Sequence, residues 1–403
     1  MTKYSKIKFT RVLTLGCAAA LVLLAGCSSS DDDDAISNTG LPGDPFLAFT
    51  SVRDSGYTVS KLERLSVTPE ATTTASFTSV QSDYLVATDG DAVYHIGRFQ
   101  IDSITKFDAQ SAELIYQRSV AGEEASANPY DIVFASETKA YVIRYGSNRI
   151  WIVDPTATTD EAFKLGELDL SSYADSDGLP EANGAVIVGE KLFVLMQRLE
   201  SFSPTQPGYL AVFDTSTDQE INTGAGTGDG LNGIPLSVHN PSRLQYLEAD
   251  GQLYVLGTGN SFAVDDSAGN RFTGGVESID AETYATELVL DDGDEAQNEG
   301  FLTELEVVSP TKAYVVTQVG FADNTLRVLN LLTGELDAGA AAGLASTEIT
   351  LLAEDPAGRL WVGVNELPLP GFRVIDPADD AQELGKMSTD LIPQDLVFIQ
   401  PVQ

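Results

Sequence analysis

Along most of this chain the apolar residues come in short runs, each bounded by glycine, proline, aspartate, asparagine or serine. PYDIVF at 129–134 leads through a turn to AYVIRY. A second turn leads to IWIVD, and a fourth short run spans 163–170. Runs this short, rich in β-branched and aromatic residues and closed by turn formers, predict strands rather than helices. The same order returns as KLFVLMQ with GYLAVFD, QLYVLGTGN with GGVESID, KAYVVTQVGF with TLRVLN, and RLWVGVNE with GFRVID. Looser copies lie upstream, AVYHIGRF with ITKFD and LAFTSVR with SKLERL, making seven.

The residue expected to close the third strand of each copy marks the period: Glu63, Asp108, Asp154, Asp214, Asp280, Asn330 and Asp376, between 45 and 66 residues apart. A four-stranded blade needs roughly 40 to 50 residues, so the spacing is that of a β-propeller with two long insertions. Asp or Asn here bonds its own downstream backbone and sets the turn, which is a structural task. The chain ends in PQDLVFIQPVQ, whose PQDLVF copies the inner-strand motif PYDIVF with no blade after it. The first copy, starting at Phe46, lacks that strand. The predicted fold is therefore all-β: a seven-bladed β-propeller of four-stranded blades over residues 45–403, with the C-terminal strand completing blade one and leaving no open edge. AYVIRYGSNRIWIVD resembles the strand-turn-strand core of the YVTN-type bacterial propellers. That resemblance implies a disc with a central channel and no single activity.

The N-terminus follows another pattern. Lys3, Lys6, Lys8 and Arg11 precede an apolar stretch from Val12 to Leu24, too short for an ordinary membrane span and suited to an export signal. It ends in Leu24-Ala25-Gly26-Cys27, which resembles the lipobox of bacterial lipoproteins. The resemblance implies a signal peptide over 1–26, cleavage before Cys27, and acylation of that cysteine; a plain signal peptide containing a cysteine is the other reading. Residues 27–44 then form a lipidated tether, too polar to pack. Ser28 rather than an aspartate follows Cys27, which favours the outer membrane over inner-membrane retention. Cys17, the only other cysteine, falls in the signal, so neither a disulfide framework nor a cysteine metal site is available.

The chain carries 60 acids against 23 bases, a formal charge of −37, and loss of the signal makes it four units more negative. Such a field repels nucleic acid and attracts divalent cations. It equally suits an exported protein in a salty medium, where repulsion is screened. The loops expected to join one blade to the next are acidic, among them AGEEASANP, YADSDGLPEANG, GTGDGLNG with Asp229, and LDDGDEAQNEG. Asp175, Asp177 and Glu181 stand around a glycine turn, and Asp292 and Asp294 form a similar run; both are candidate Ca²⁺ loops or simply solvated acids. Insertions in blades four (LESFSPTQPG) and five (GNSFAVDDSAGNRFTGG, with Asp265, Asp266 and Asn270) are placed to raise one wall of a binding surface.

Aligning the copies on the second-strand aromatic puts Asp395, Tyr84, Asp131, Asn183, Arg243-Leu244, Glu304 and a position near Thr350 at the channel mouth. His239 is a further channel-mouth candidate, and His95 is expected to be packed within a strand. No catalytic set is evident. There is no GxSxG elbow, two histidines are too few for a histidine metal centre, and no mature CxxCH or basic phosphate cluster occurs. The reading that follows is an outer-membrane-anchored, acidic propeller lipoprotein that binds an envelope or extracellular protein or glycan. The alternative is a Ca²⁺-dependent propeller lactonase, glycan lyase or hydrolase using carboxylates such as Asp131 and Glu304.

Overall fold

Each of the seven sequence copies folds as one antiparallel sheet in the computed structural model, which describes residues 40–69, 72–226, 228–261, 271–320, 323–366 and 368–400. The proposed signal, Cys27 and the tether up to Thr39 lie outside the described residues, as do Asp265, Asp266 and Asn270. The inner strands of blades one to seven are Ile392–Ile399, Tyr84–Thr88, Pro129–Ser136, Ala182–Val188, Pro241–Leu247, Phe301–Ser309 and Ile349–Glu354. Blade one is completed by the C-terminal strand. Ile399 pairs with Leu47 and Leu396 with Thr50, so first and last segments of the disc share a sheet.

Burial explains the sequence pattern. The second strands Ala92–Gly97 and Lys191–Met196 are buried at nearly every position, because each sheet is covered on both faces by its neighbours. Outer strands such as Leu114–Ser119 and Lys164–Asp169 are mostly exposed and bury one residue in six. Apolar side chains of the described residues gather into seven clusters, each shared by two adjacent blades. Several of these contacts carry a charged clamp. Lys139 and Tyr141 of blade three reach Asp218 of blade four at 2.8 and 2.7 Å. Lys312 of blade six reaches Asp380 of blade seven at 2.6 Å, and the Tyr314 hydroxyl donates to the same carboxylate.

The marker residues are turn formers in six blades. Asp108, Asp214, Asp280 and Asn330 each accept from backbone N–H groups two and three residues on, and Asp154 and Asp376 accept from two residues on. Glu63 departs from that expectation. It lies inside Ser60–Val67, almost fully buried, and accepts from the Asp390 amide at 3.0 Å. The outer edge also differs in blades four and six, where the fourth strand is split into Gln219–Glu220 with Ile234–His239, and Glu335–Leu336 with Ala345–Thr347. GTGDGLNG therefore lies in the break within blade four, not between blades, and Tyr209 donates to Asp229 there. Only Asn240 separates blade four from blade five. At the N-terminal edge, Leu41 is buried against blade seven and Arg359 donates to the Pro42 carbonyl at 2.5 Å, so packing begins before Pro45.

Candidate functional site

An irregularity repeats around the channel. In blades one and three to seven, the inner strand loses register with the second strand near its start, so one residue has no partner opposite it. The extra residues are Gln394, Tyr130, Asn183, Ser242, Thr303 and Thr350. A bulge of this kind kinks the strand and re-aims a side chain, and such bulges are over-represented beside active sites. Three of these strands carry a proline just before the bulged residue, Pro129, Pro241 and Pro393, at positions where a missing N–H is tolerated in a sheet.

All six bulged side chains line one cavity of about 480 Å³ at the channel mouth, to which every blade contributes. Four of them bring an oxygen that is buried and has no hydrogen-bond partner: Asn183 Oδ1, Ser242 Oγ, Thr350 Oγ1 and Gln394 Oε1. Asn183 is oriented, because its Nδ2 donates to the Pro241 carbonyl at 2.8 Å. An unsatisfied buried acceptor costs roughly 1 to 3 kcal/mol, so four around one cavity point to a ligand rather than to packing.

The next residues along the strands supply the charge. Arg243 and Glu304 form a two-pronged pair through Nε (2.7 Å) and Nη2. Asp395 accepts from the Leu396 and Val86 amides, both at 2.9 Å, and Asp131 accepts from the Ile132 amide at 2.8 Å. Arg98 leans over the Tyr130 ring, 3.8 Å from its centre, with Asp83 3.3 Å from its Nε. Burial, with Asp395 nearby, pushes the Asp131 carboxyl up to about 7. Burial likewise raises Glu304, against the lowering pull of Arg243, and raises Asp395. Deeper on the same wall, burial first and then the Glu354 charge push Glu306 up to about 8. It accepts from the Glu354 amide and from Gln245, each at 3.2 Å.

Asp131 also borders a second cavity of about 520 Å³ further along the channel, lined by Ile132, Phe134, Val186 and Val397 together with Thr88 and Asp89. The polar mouth widens the other way. A cavity of about 270 Å³ shares Thr303, Glu304, Thr350 and Gln394 with it and reaches Arg53 and Tyr57. Inner-strand starts pair with second-strand ends, so the loops between second and third strands surround the mouth. They expose Tyr57, Phe99, Phe202 and Leu369. Tyr57 and Phe202 sit at φ of 54° and 66°, a left-handed backbone that bulky residues rarely adopt.

Of the residues expected at the mouth, the cavity brings together Asp131, Asn183, Arg243, Leu244, Glu304, Thr350 and Asp395. Tyr84 is buried instead and stacks on His95, 4.2 Å between ring centres, and burial depresses that histidine to about 3. His239 is not among the lining residues. Its Nδ1 bonds the Pro204 carbonyl at 2.8 Å and pins the blade-four insertion. Asp175 and Asp177 accept from the Asp177 and Leu179 amides, forming successive turns. Glu181 turns inward to the Leu199 amide at 3.0 Å, and burial pushes it up to about 8. Asp292 is fully buried, neither carboxyl oxygen has a hydrogen-bond partner, and burial pushes it up to about 7. Asp294 caps its own turn through the Ala296 and Gln297 amides. Among the described residues, no three acids, histidines or cysteines converge on one point. Alignment on the aromatics missed Tyr130, Ser242, Thr303 and Gln394; all but Thr303 share a signal of proline, any residue, then a charged one, as in PYD, PSR and PQD.

No family model matches the chain, and no curated protein matches it by sequence. Solved structures do share its fold. A protein assigned as a 6-phosphogluconolactonase from Bacteroides fragilis superposes with a TM-score of 0.57 at 12% identity, covering 93% of this chain and all of that one. Kuenenia stuttgartiensis hydrazine synthase gives 0.51 at 15% identity over 87% of this chain and all of that one. The dihydro-heme d1 dehydrogenase NirN gives 0.51 at 12% identity over 89% and 68%. At these identities the likeness establishes architecture alone: the chain is a seven-bladed β-propeller.

Proposed function

We propose that this protein is a lipid-anchored binding propeller of the bacterial cell envelope, which takes a polar group of a protein or glycan partner into the mouth of its channel. Cys27 is the anchor, acylated at the outer membrane, and the polar tether holds the acidic disc clear of an anionic surface. A single cysteine acylated through both its thiol and its new amino group carries more than one acyl chain, which is physically sufficient for stable attachment. The observation that carries the binding role is the ring of bulged residues with four unpartnered buried oxygens.

That ring makes function and stability oppose one another. Thr350→Val and Gln394→Leu remove orphaned acceptors, so each is expected to stabilise the fold by about 1 kcal/mol in chemical denaturation. Both are expected to lose envelope components that the wild-type protein retains by crosslinking. Unchanged retention would place binding elsewhere. The anchor has its own test: Cys27→Ala is expected to abolish palmitate labelling and move the protein to the soluble fraction. Persistent membrane association of that variant would overturn the lipoprotein reading.

One observation favours a second reading, a Ca²⁺-dependent lactonase, glycan lyase or hydrolase. Asp131 is tuned to about 7 inside the cavity, where a general acid or base works best. A hydrolase and lyase screen with and without chelator tests it, and absence of turnover in both conditions rejects it.

A further inference from the structure

We propose that the group taken into the channel mouth is a primary ammonium flanked by further hydrogen-bond donors, with Asp131 as its counter-ion and Asn183, Ser242, Thr350 and Gln394 as its acceptors. This rests on the binding role proposed above and adds the chemistry of the ligand.

The inference comes from which mouth groups are already committed. Both guanidiniums sit beside carboxylates: Arg243 is hydrogen-bonded to Glu304, while Arg98 lies 3.3 Å from Asp83 and over the Tyr130 ring, its Nε making no hydrogen bond. Asp395 has a backbone N–H on each of its two oxygens. Asp131 has one such bond on Oδ1, from Ile132, and the Ala185 amide also acts on its carboxylate. The lining therefore carries three carboxylates against two guanidiniums, each guanidinium already has a carboxylate beside it, and Asp131 and Asp395 enter no ion pair among the described residues. The orphaned amide oxygens of Asn183 and Gln394 can only accept, and the Ser242 and Thr350 hydroxyls can accept as well as donate. An anion would meet Asp131 and two acceptors, while a neutral polyol would leave the carboxylate without a counter-charge. A hard dication usually recruits several carboxylates among six to eight oxygens. An ammonium has three donors and one charge, which matches. The cavity beyond Asp131 offers Ile132, Phe134, Val186 and Val397 to the hydrocarbon that carries such a group, and a further carboxylate, Asp89, at its lining.

The groups around Asp131 also set the expected pH response. Blade one presents Asp395, blade two Arg98 held by Asp83, blade five Arg243 and blade six Glu304, while blades four and seven present Asn183 and Thr350. Asp131 is pushed up to about 7, so it is neutral well below that pH and ionised above it. Ammonium affinity should therefore rise as pH increases through 7.

Matched probes test this on the purified full-length protein by thermal shift and calorimetry: 1,4-diaminobutane against 1,4-butanediol, glucosamine against glucose, and CaCl₂. Each amine is expected to bind at least about tenfold more tightly than its neutral partner, the size of a single favourable charge contact. The preference is expected to shrink at acidic pH and in Asp131→Asn, which keeps the acceptor for the Ile132 amide. Wild-type pH dependence stands as an independent readout should that variant fold poorly. Equal binding of amine and neutral partner would overturn the ammonium assignment while leaving the channel-mouth reading intact. Binding of Ca²⁺ without amines would replace it with a metal. Binding of none of the probes would overturn the ammonium assignment, and the reading of the mouth would then rest on the crosslinking experiment alone.

Discussion

Deleting residues 392–403 is expected to abolish cooperative folding. The lost strand pairs along Leu47–Arg53 and buries Ile392, Leu396 and Ile399. At roughly 1.5 to 3 kcal/mol for each fully buried aliphatic side chain, those three contribute on the order of 5 to 9 kcal/mol. A whole domain is typically stable by about 5 to 15 kcal/mol. The deletion also opens a paired strand edge, a template for aggregation. Size-exclusion chromatography and a melting curve followed by circular dichroism check it; a monomer with an unchanged cooperative transition would show that the ring does not depend on its closure. A point substitution probes the same seam. Trp361 is fully buried among Phe372, Phe398 and Phe46 at 5.4, 5.4 and 6.1 Å, and its indole N–H donates to Asp355 at 2.8 Å. Trp361→Ala should cost about 3 to 5 kcal/mol.

The second large effect is a stability that falls as pH rises through neutrality. Burial pushes Glu63, Asp131 and Asp292 up to about 7, and Glu181 and Glu306 up to about 8. The folded state thus holds protons that the unfolded chain releases near pH 4 to 4.5. Stability from these groups is fully present below that range and is lost as pH rises through 7 to 8. The opposite set acts at low pH. Backbone and hydroxyl donors hold Asp54 and Asp214 down at about 2, and their contribution is lost as pH falls through the folded value. The melting temperature should therefore peak near about pH 4 and be lower at about pH 8.5. Salt separates this from the repulsion of a chain with net charge −37, because exposed charges are screened and buried ones much less. The slope should survive about 0.5 M NaCl. Glu306→Gln isolates one of the two largest contributors, since Gln keeps an acceptor for the Glu354 amide and Gln245. It should stabilise by about 2 kcal/mol or more at about pH 8.5 and change little at about pH 4. Equal effects at both pH values would refute a titrating Glu306.

How far the site could be read from the chain depends on the register of single residues. Asp131, Arg243, Glu304 and Asp395 were legible because they follow a repeated inner-strand motif and face the channel one period apart. The orphaned oxygens were not legible as such. Asn183 and Thr350 looked like members of that same row, yet they are the extra residues of bulges, and Ser242 and Gln394 looked like ordinary strand positions. A bulge shifts one residue relative to its partner strand, and periodicity of apolar positions is blind to a shift that later residues recover. His239 failed as a mouth residue for a related reason. It ends an outer strand that is broken in two, and its ring is taken by the Pro204 carbonyl.

The sequence alone determined seven copies, four strands in each, the turns set by Asp and Asn, and closure by PQDLVF. All of these are local patterns or direct repeats, and local hydrogen bonding and side-chain burial decide them. Only the tertiary structure decided which polar atoms meet at the axis, which carboxylates are already satisfied, and which acids are buried deeply enough to hold a proton at neutral pH. Those properties depend on groups from strands as much as 300 residues apart, as when Asp395 accepts from the Val86 amide, and on the low-dielectric surroundings that seven blades create together.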